Sequence, residues 1–206
     1  GKKAARGTTA NIDIVTKDDK DGIDIIIKPG TKNESVHIPV VLSESGLQDM
    51  VYNDFFIGEG SDVTIVAGCG IHNCGVQQSR HDGIHTFYVG KNARVRYVER
   101  HYGEGDGRGE NVMNPTTVVH MEEGSYMEME TTQIKGVDST LRCTQADLGP
   151  DATLIIKEKV MTHGKQEAKS DFTVDLNGKG CRTNVISRSV ARGDSKQTFM
   201  ARINGN

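Results

Sequence analysis

Gly58–Val66 reads GEGSDVTIV and Gly90–Val98 reads GKNARVRYV. Each is a turn of glycine and polar residues, then a small residue, then a run in which apolar and polar side chains alternate. Three later stretches follow the same plan: EEGSYMEME from Glu122, GPDATLIIK from Gly149 and NGKGCRTNV from Asn177. The small residues are Ser61, Ala93, Ser125, Ala152 and Gly180, and an earlier copy, TKNESVHIPV from Thr31, puts Ser35 or Glu34 in that place. A second short strand precedes each turn: NDFFI, HTFYV, TVVHM, TQADL and DFTVDL. The unit recurs at intervals of about 30 residues, the signature of a repeat architecture.

Within the strands the period is two. Met127 and Met129 alternate with Glu128 and Glu130, and Val95 and Tyr97 with Arg94 and Arg96. No segment sustains the apolar stripe of a helix. Paired short strands joined by glycine turns predict an all-β chain, either a β-solenoid or the meander of a sandwich or cupin-like barrel. The even interval favours the solenoid, because a coil buries its inner face only by stacking on similar coils. FMARINGN, Phe199–Asn206, repeats the approach FTVDLNGKG from Phe172 and stops where the next small residue is due, so the solenoid reads as truncated at its C-terminal end.

Composition narrows the function. Twenty-five basic and 28 acidic residues give a net charge of −3, which provides no field for nucleic acid phosphates. The basic start at Lys2, Lys3 and Arg6 reads as a solvated end, and Gly1 as a processed or engineered one. Apolar runs such as Ile25–Ile27 and Val40–Leu42 are too short for a membrane span, and no secretory leader pattern opens the chain. The expectation is a cytoplasmic protein whose four cysteines are thiols. Cys143 and Cys181 read as small apolar residues buried in the coils.

AGCGIHNCGVQQSRHDGIH, Ala67–His85, concentrates cysteine and histidine. Cys69, Cys74, His72, His81 and His85 carry the donor atoms for a transient iron–sulfur cluster or another metal. As a zinc finger the spacing is poor, since Gly83 argues against a helix presenting His81 and His85 on one face. The alternative is a polar excursion from one coil, with His72 and His81 solvated.

GSDVTIVAGCGIHN, HDGIHTFYVGKNARVRYVERHYGEGDG, and TQADLGPDATLIIKEKV followed by SDFTVDLNGKG resemble the core of the SufB/SufD family, scaffold proteins of iron–sulfur cluster assembly. The resemblance covers residues 23–206, after an N-terminal lead-in at 1–22. It implies a right-handed parallel β-helix and a scaffold without catalysis of its own. It also implies a homodimer or a pair with a SufB/SufD-like paralogue, and partnership with a SufC-type ABC ATPase. In SufB-like members a Gly-Cys at a strand end is implicated in receiving sulfur, with a histidine near the next strand; Gly68-Cys69 and His85 hold those places here. A nearby histidine lowering the thiol pKa from about 8.5 toward neutrality would suit that role. The cluster-related cysteine and glutamate of the family, and its small helical region, belong to a later part with no counterpart up to Asn206. A SufD-like partner role, stabilising a complex without binding a cluster, fits the same resemblance.

Two other stretches complete the inventory. GEGDGRGE, Gly103–Glu110, lacks the phosphate-loop lysine and reads as a hydrated turn, while Glu99 and His101 share a strand face and are able to pair. Glu128 and Glu130 on one outer face suggest the paired acids of a β-helical carbohydrate-active enzyme, although the chain lacks the aromatics of a sugar groove.

Overall fold

The computed structural model describes residues 7–205; Lys2, Lys3 and Arg6, read above as a basic start, and Gly1, read as a processed or engineered end, lie outside the described residues. The described chain is all strand and turn. In order, the strands are β1 (Ile12–Thr16), β2 (Gly22–Ile27), β3 (Lys32–Leu42), β4 (Gln48–Ile57), β5 (Asp62–His72), β6 (Ser79–Val89), β7 (Arg94–Glu104), β8 (Asn111–Met113), β9 (Thr116–Met121), β10 (Tyr126–Lys135), β11 (Ser139–Leu148), β12 (Thr153–Thr162), β13 (Glu167–Leu176), β14 (Arg182–Ala191) and β15 (Lys196–Gly205).

Successive strands alternate between two sheets. One stacks β2, β4, β6, then β8 with β9, then β11, β13 and β15; the other stacks β3, β5, β7, β10, β12 and β14. Neighbours within each stack run parallel, so the chain winds as a parallel β-solenoid of about six turns. The lead-in stretch supplies β1, which pairs antiparallel with β2, placing Ile12 opposite Ile27.

The repeated turn has a stereochemical basis. The residue before each small residue takes a left-handed conformation: Gly30, Gly60, Asn92, Gly124, Asp151 and Gly180, with φ between 54° and 78°. Glycine, asparagine and aspartate adopt that region most readily. The next residue is Thr31, Ser61, Ala93, Ser125, Ala152 or Cys181, whose amide donates to the carbonyl three residues back, as in Ala93 to Gly90 at 3.1 Å. Two assignments made from sequence therefore shift. Thr31 rather than Ser35 or Glu34 fills the small position, because the ladder slips between Lys32 and Glu34. Cys181 rather than Gly180 fills the last, since Gly180 is needed for its positive φ of 78°. Cys143 differs too: it sits on the outer, partly exposed face of β11, whereas Cys181 packs partly against the core.

Register carries each inward position through the stack. One apolar row is Ile25, Phe55, Phe87, Val119, Ala146 and Val174; facing it is Val36, Ile65, Tyr97, Met129, Ile156 and Val185. Phe55 and Phe87 stack with ring centroids 4.4 Å apart, and Phe87 meets Tyr97 edge-on at 4.9 Å. GEGDGRGE is a turn packed against its neighbours: a Cβ on Gly103 would lie 1.7 Å from the Gly136 carbonyl oxygen. The first sheet has one gap, Asn114–Pro115, between β8 and β9. Proline has no N–H to give to the ladder.

Phe87 is fully buried in the middle of this stack. Phe87→Ala is expected to cost about 3–5 kcal/mol, read as a lower midpoint in equilibrium urea unfolding.

Candidate functional site

The apolar rows fill only part of each coil's interior. Two residues further along the second sheet, inward positions become Ala67, Glu99, Thr131 and Glu158, then Cys69, His101, Gln133 and Val160. Opposite them stand Asn53, His85, Thr117 and Thr144, with Asp49 and His81 toward the strand start. The solenoid thus has an apolar half and a polar half, and at the far edge of the polar half Cys69 packs with Leu42, Ile71, Met113 and Val137 in a small apolar cluster.

Cys69 belongs to the polar half, sharing the inward parity of Val63, Ile65 and Ala67 on β5, and is 4% exposed. It lines one small space with His81, Gly83, His85, Glu99, His101, Met113 and Pro115. Nowhere is this space wide enough for a water molecule.

A charged network closes this space. Arg142 donates to Glu99 Oε2 at 2.7 Å and to His101 Nδ1 at 3.2 Å, and its Nε lies 3.5 Å from Glu158 Oε1. Glu158 accepts from Ser187 at 2.7 Å and from Ser170. The Tyr97 hydroxyl donates to Glu99 Oε1 at 2.9 Å and therefore accepts from His85 Nδ1 at 2.8 Å. Asn53 donates its amide to His85 Nε2 at 3.3 Å, leaving His85 a satisfied neutral ring.

These contacts set the protonation states. Burial alone would raise Glu99, but the neighbouring His101 and the Arg142 cation outweigh it and hold the carboxyl well below its ordinary range. Burial pushes His85 down to about 4, against the pull of Glu99. Burial, reinforced by the Glu99 charge, pushes the Cys69 thiol upward. The expected lowering of this thiol by a neighbouring histidine is thus reversed, because burial dominates, His85 is itself held neutral, and the Glu99 charge outweighs the opposing Arg142 cation.

The five cysteine and histidine residues singled out from sequence divide into two groups. Cys69, His81 and His85 come together in the interior. His72 and Cys74 lie outside on the exposed turn after β5, with Cys74 Sγ 3.2 Å from His72 Nε2. Among the described residues no three His, Cys, Asp or Glu side chains are grouped closely enough to hold a metal ion. His81 is buried rather than solvated: its Nδ1 is 2.8 Å from Asp49 Oδ2, a contact that holds Asp49 below its ordinary range, while its Nε2 has no protein partner. Glu99 and His101 do pair, inside the coil, at 3.4 Å. Glu128 and Glu130 are outer-face residues bound to Lys157 at 2.8 Å and Lys159 at 2.6 Å. Those hydrogen bonds lower both carboxyls, the opposite of what a general acid requires.

Asp49, Tyr97, Arg142 and Glu158 escaped the sequence reading. Their signal was parity. Arg142 shares the inward parity of Thr140, Thr144, Ala146 and Leu148 on β11, and Glu158 that of Leu154 and Ile156 on β12. A charge at an inward position is either paired inside or the strand is misread.

The buried network predicts a pH dependence. The unfolded chain takes up a proton at His85 near its ordinary 6.5, whereas the folded ring resists until about 4. Stability is therefore complete above that upper value and falls as pH drops through the interval, by roughly 3 kcal/mol for this group. Urea unfolding across that interval is expected to show the slope, and His85→Gln to flatten it. Arg142→Met leaves two buried carboxyls without their cation and is expected to lose about 3–5 kcal/mol at neutral pH.

Comparison with known proteins agrees with this architecture. Residues 44–205 match the family model described as SUF system FeS cluster assembly, SufBD core domain. An iron-sulfur cluster assembly SufBD family protein of Methanocaldococcus jannaschii is 27% identical over 184 residues, 88% of this chain and 57% of that protein. One of Archaeoglobus fulgidus is 28% identical over 179 residues, 85% of this chain and 46% of that protein. The chain spans about half the length of these curated relatives. With most of its solenoid inside the match, the chain belongs to the SufBD family of iron–sulfur cluster assembly proteins.

Proposed function

We propose that this solenoid is the core of a scaffold protein in SUF-type iron–sulfur cluster biogenesis, with no catalytic activity of its own. In this reading it works in the cytoplasm with a SufC-type ABC ATPase and pairs with a second copy or a SufB/SufD-like paralogue. Its cargo is sulfur and iron on the way to a cluster. Cys69 is the sulfur-accepting residue, and His85 acts by holding Tyr97 and Asn53 around it.

The observation that carries this reading is the setting of Cys69. Within a chain of this family, it is the cysteine enclosed with three imidazoles and a carboxylate in an interior space. Sulfane sulfur is labile toward free thiols, and a dry enclosure withholds it from them. The thiolate needed for attack is disfavoured at rest, so loading is coupled to opening of the coil wall. Cys74, exposed beside His72, offers no such enclosure.

Anaerobic incubation with ferrous iron and sulfide, followed by iron and sulfide counts on the desalted protein, tests the reading. Retention by the wild type that is lost in Cys69→Ser is the expected result. Equal retention by both proteins would remove Cys69 from the chemistry.

A further inference from the structure

His81 poses a problem that the rest of the network does not. The ring is 3% exposed, its Nδ1–H is given to Asp49, and its Nε2 is buried without a protein partner. In the neutral ring Asp49 fixes the tautomer, so that the unpartnered atom carries a lone pair. Buried polar atoms are almost always satisfied, and an orphan in a native interior asks for an explanation. A trapped water does not supply one, because the space is too narrow for it.

The orphan is aimed at an atom-sized gap. Gly83 faces inward on β6 without a side chain, and a Cβ placed on it would sit 3.3 Å from His81 Nε2 and 3.5 Å from His85 Nε2. Cys69 lines the same space. Resting on the sulfur-accepting role of Cys69, we propose that the gap over Gly83 holds the outer sulfur of a Cys69 persulfide, with His81 Nε2 as its hydrogen-bond acceptor and positioning residue.

Size supports this occupant. A free water must stay at contact distance from every wall atom. A sulfur bonded to Cys69 sits only about 2.05 Å from Sγ, an approach closed to water, and the remaining wall atoms shift to admit it. In the transfer, the Cys69 sulfur attacks the outer sulfur of a donor persulfide. A new S–S bond forms at Cys69, the donor's S–S bond breaks, and the donor leaves as its thiol with the proton that Cys69 gave up. No oxidant or reductant is consumed. The remaining S–H of the bound persulfide points its proton at His81 Nε2.

The wall beside the gap lacks one ladder bond, at Pro115, although Asn114 N–H donates to the His81 carbonyl at 3.1 Å and the Pro115 carbonyl accepts from Cys143 N–H at 3.0 Å. In the first sheet, His81 pairs with Met113 and Ile84 with Thr116, so Asp82 and Gly83 face Asn114 and Pro115 across an interruption of the ladder. Gly83 and Pro115 both line the interior space.

The experiment treats the full chain with sodium tetrasulfide, desalts it, and follows the extra sulfur on the Cys69 peptide by mass spectrometry during exposure to dithiothreitol. It compares the wild type with His81→Leu, His81→Gln and Gly83→Ala, all checked for native circular dichroism. The proposal expects the Cys69 persulfide to be lost about tenfold faster in His81→Leu, the loss of one buried hydrogen bond. Gly83→Ala, whose methyl occupies the gap, is expected to lower loading, and His81→Gln, which keeps an acceptor, to restore most of the lifetime. Equal loading and lifetime in wild type, His81→Leu and Gly83→Ala would overturn the positioning role while leaving sulfur at Cys69. No sulfur on Cys69 in the wild type would overturn both.

Discussion

A guanidinium inside a protein must bring its counter-charges with it. The Arg142 side chain is only 3% exposed, and its partners Glu99 and Glu158 are each 2% exposed. Taking such groups from water costs several kcal/mol each, recovered only when every donor and lone pair is engaged. The polar half of the solenoid follows from that requirement. Glu99, held ionised, takes the Tyr97 hydroxyl; Tyr97 orients His85; and burial, reinforced by the same negative charge, keeps Cys69 a thiol. Burial and one buried ion pair together set the resting state of the site.

The site is distributed over the stack. Cys69 comes from β5, His81 and His85 from β6, Glu99 and His101 from β7, and the cation that organises them from β11. Parallel stacking makes this possible, since register carries an inward position from coil to coil and brings residues distant in sequence onto one interior face. Asp49 reaches His81 across one such step, and Arg142 reaches Glu99 over 43 positions of sequence. The apolar half, anchored by Phe55, Phe87 and Tyr97, holds the two sheets in the register on which those distances depend.

The architecture was legible in the sequence because its causes are local. Alternation in stretches such as YMEME reports one buried face, and the turn reports its left-handed residue through glycine, asparagine or aspartate. The exact turn position was less legible, since GKGC offers two glycines and only the backbone reveals that Gly180 supplies the positive φ. The cysteine–histidine cluster misled by its proximity along the chain. Cys69 and Cys74 are near neighbours, yet β5 ends between them, and one thiol is buried while the other is exposed. The partners that set the chemistry of Cys69 came from other coils and were visible only as charges at inward parity, a signal that gains meaning once the strands are stacked.

The central claim is that Cys69 is a guarded thiol, enclosed among the buried groups around Arg142 and held protonated first by burial and then by the Glu99 charge. Site-resolved alkylation of the native chain with iodoacetamide at neutral pH tests it most directly, with Cys74 as the exposed internal reference. The account predicts that Cys69 reacts on the order of a hundredfold more slowly than Cys74, and that the difference disappears in denaturing urea. Equal rates in the native protein would contradict it, because an open, ionised Cys69 is incompatible with the buried network described here.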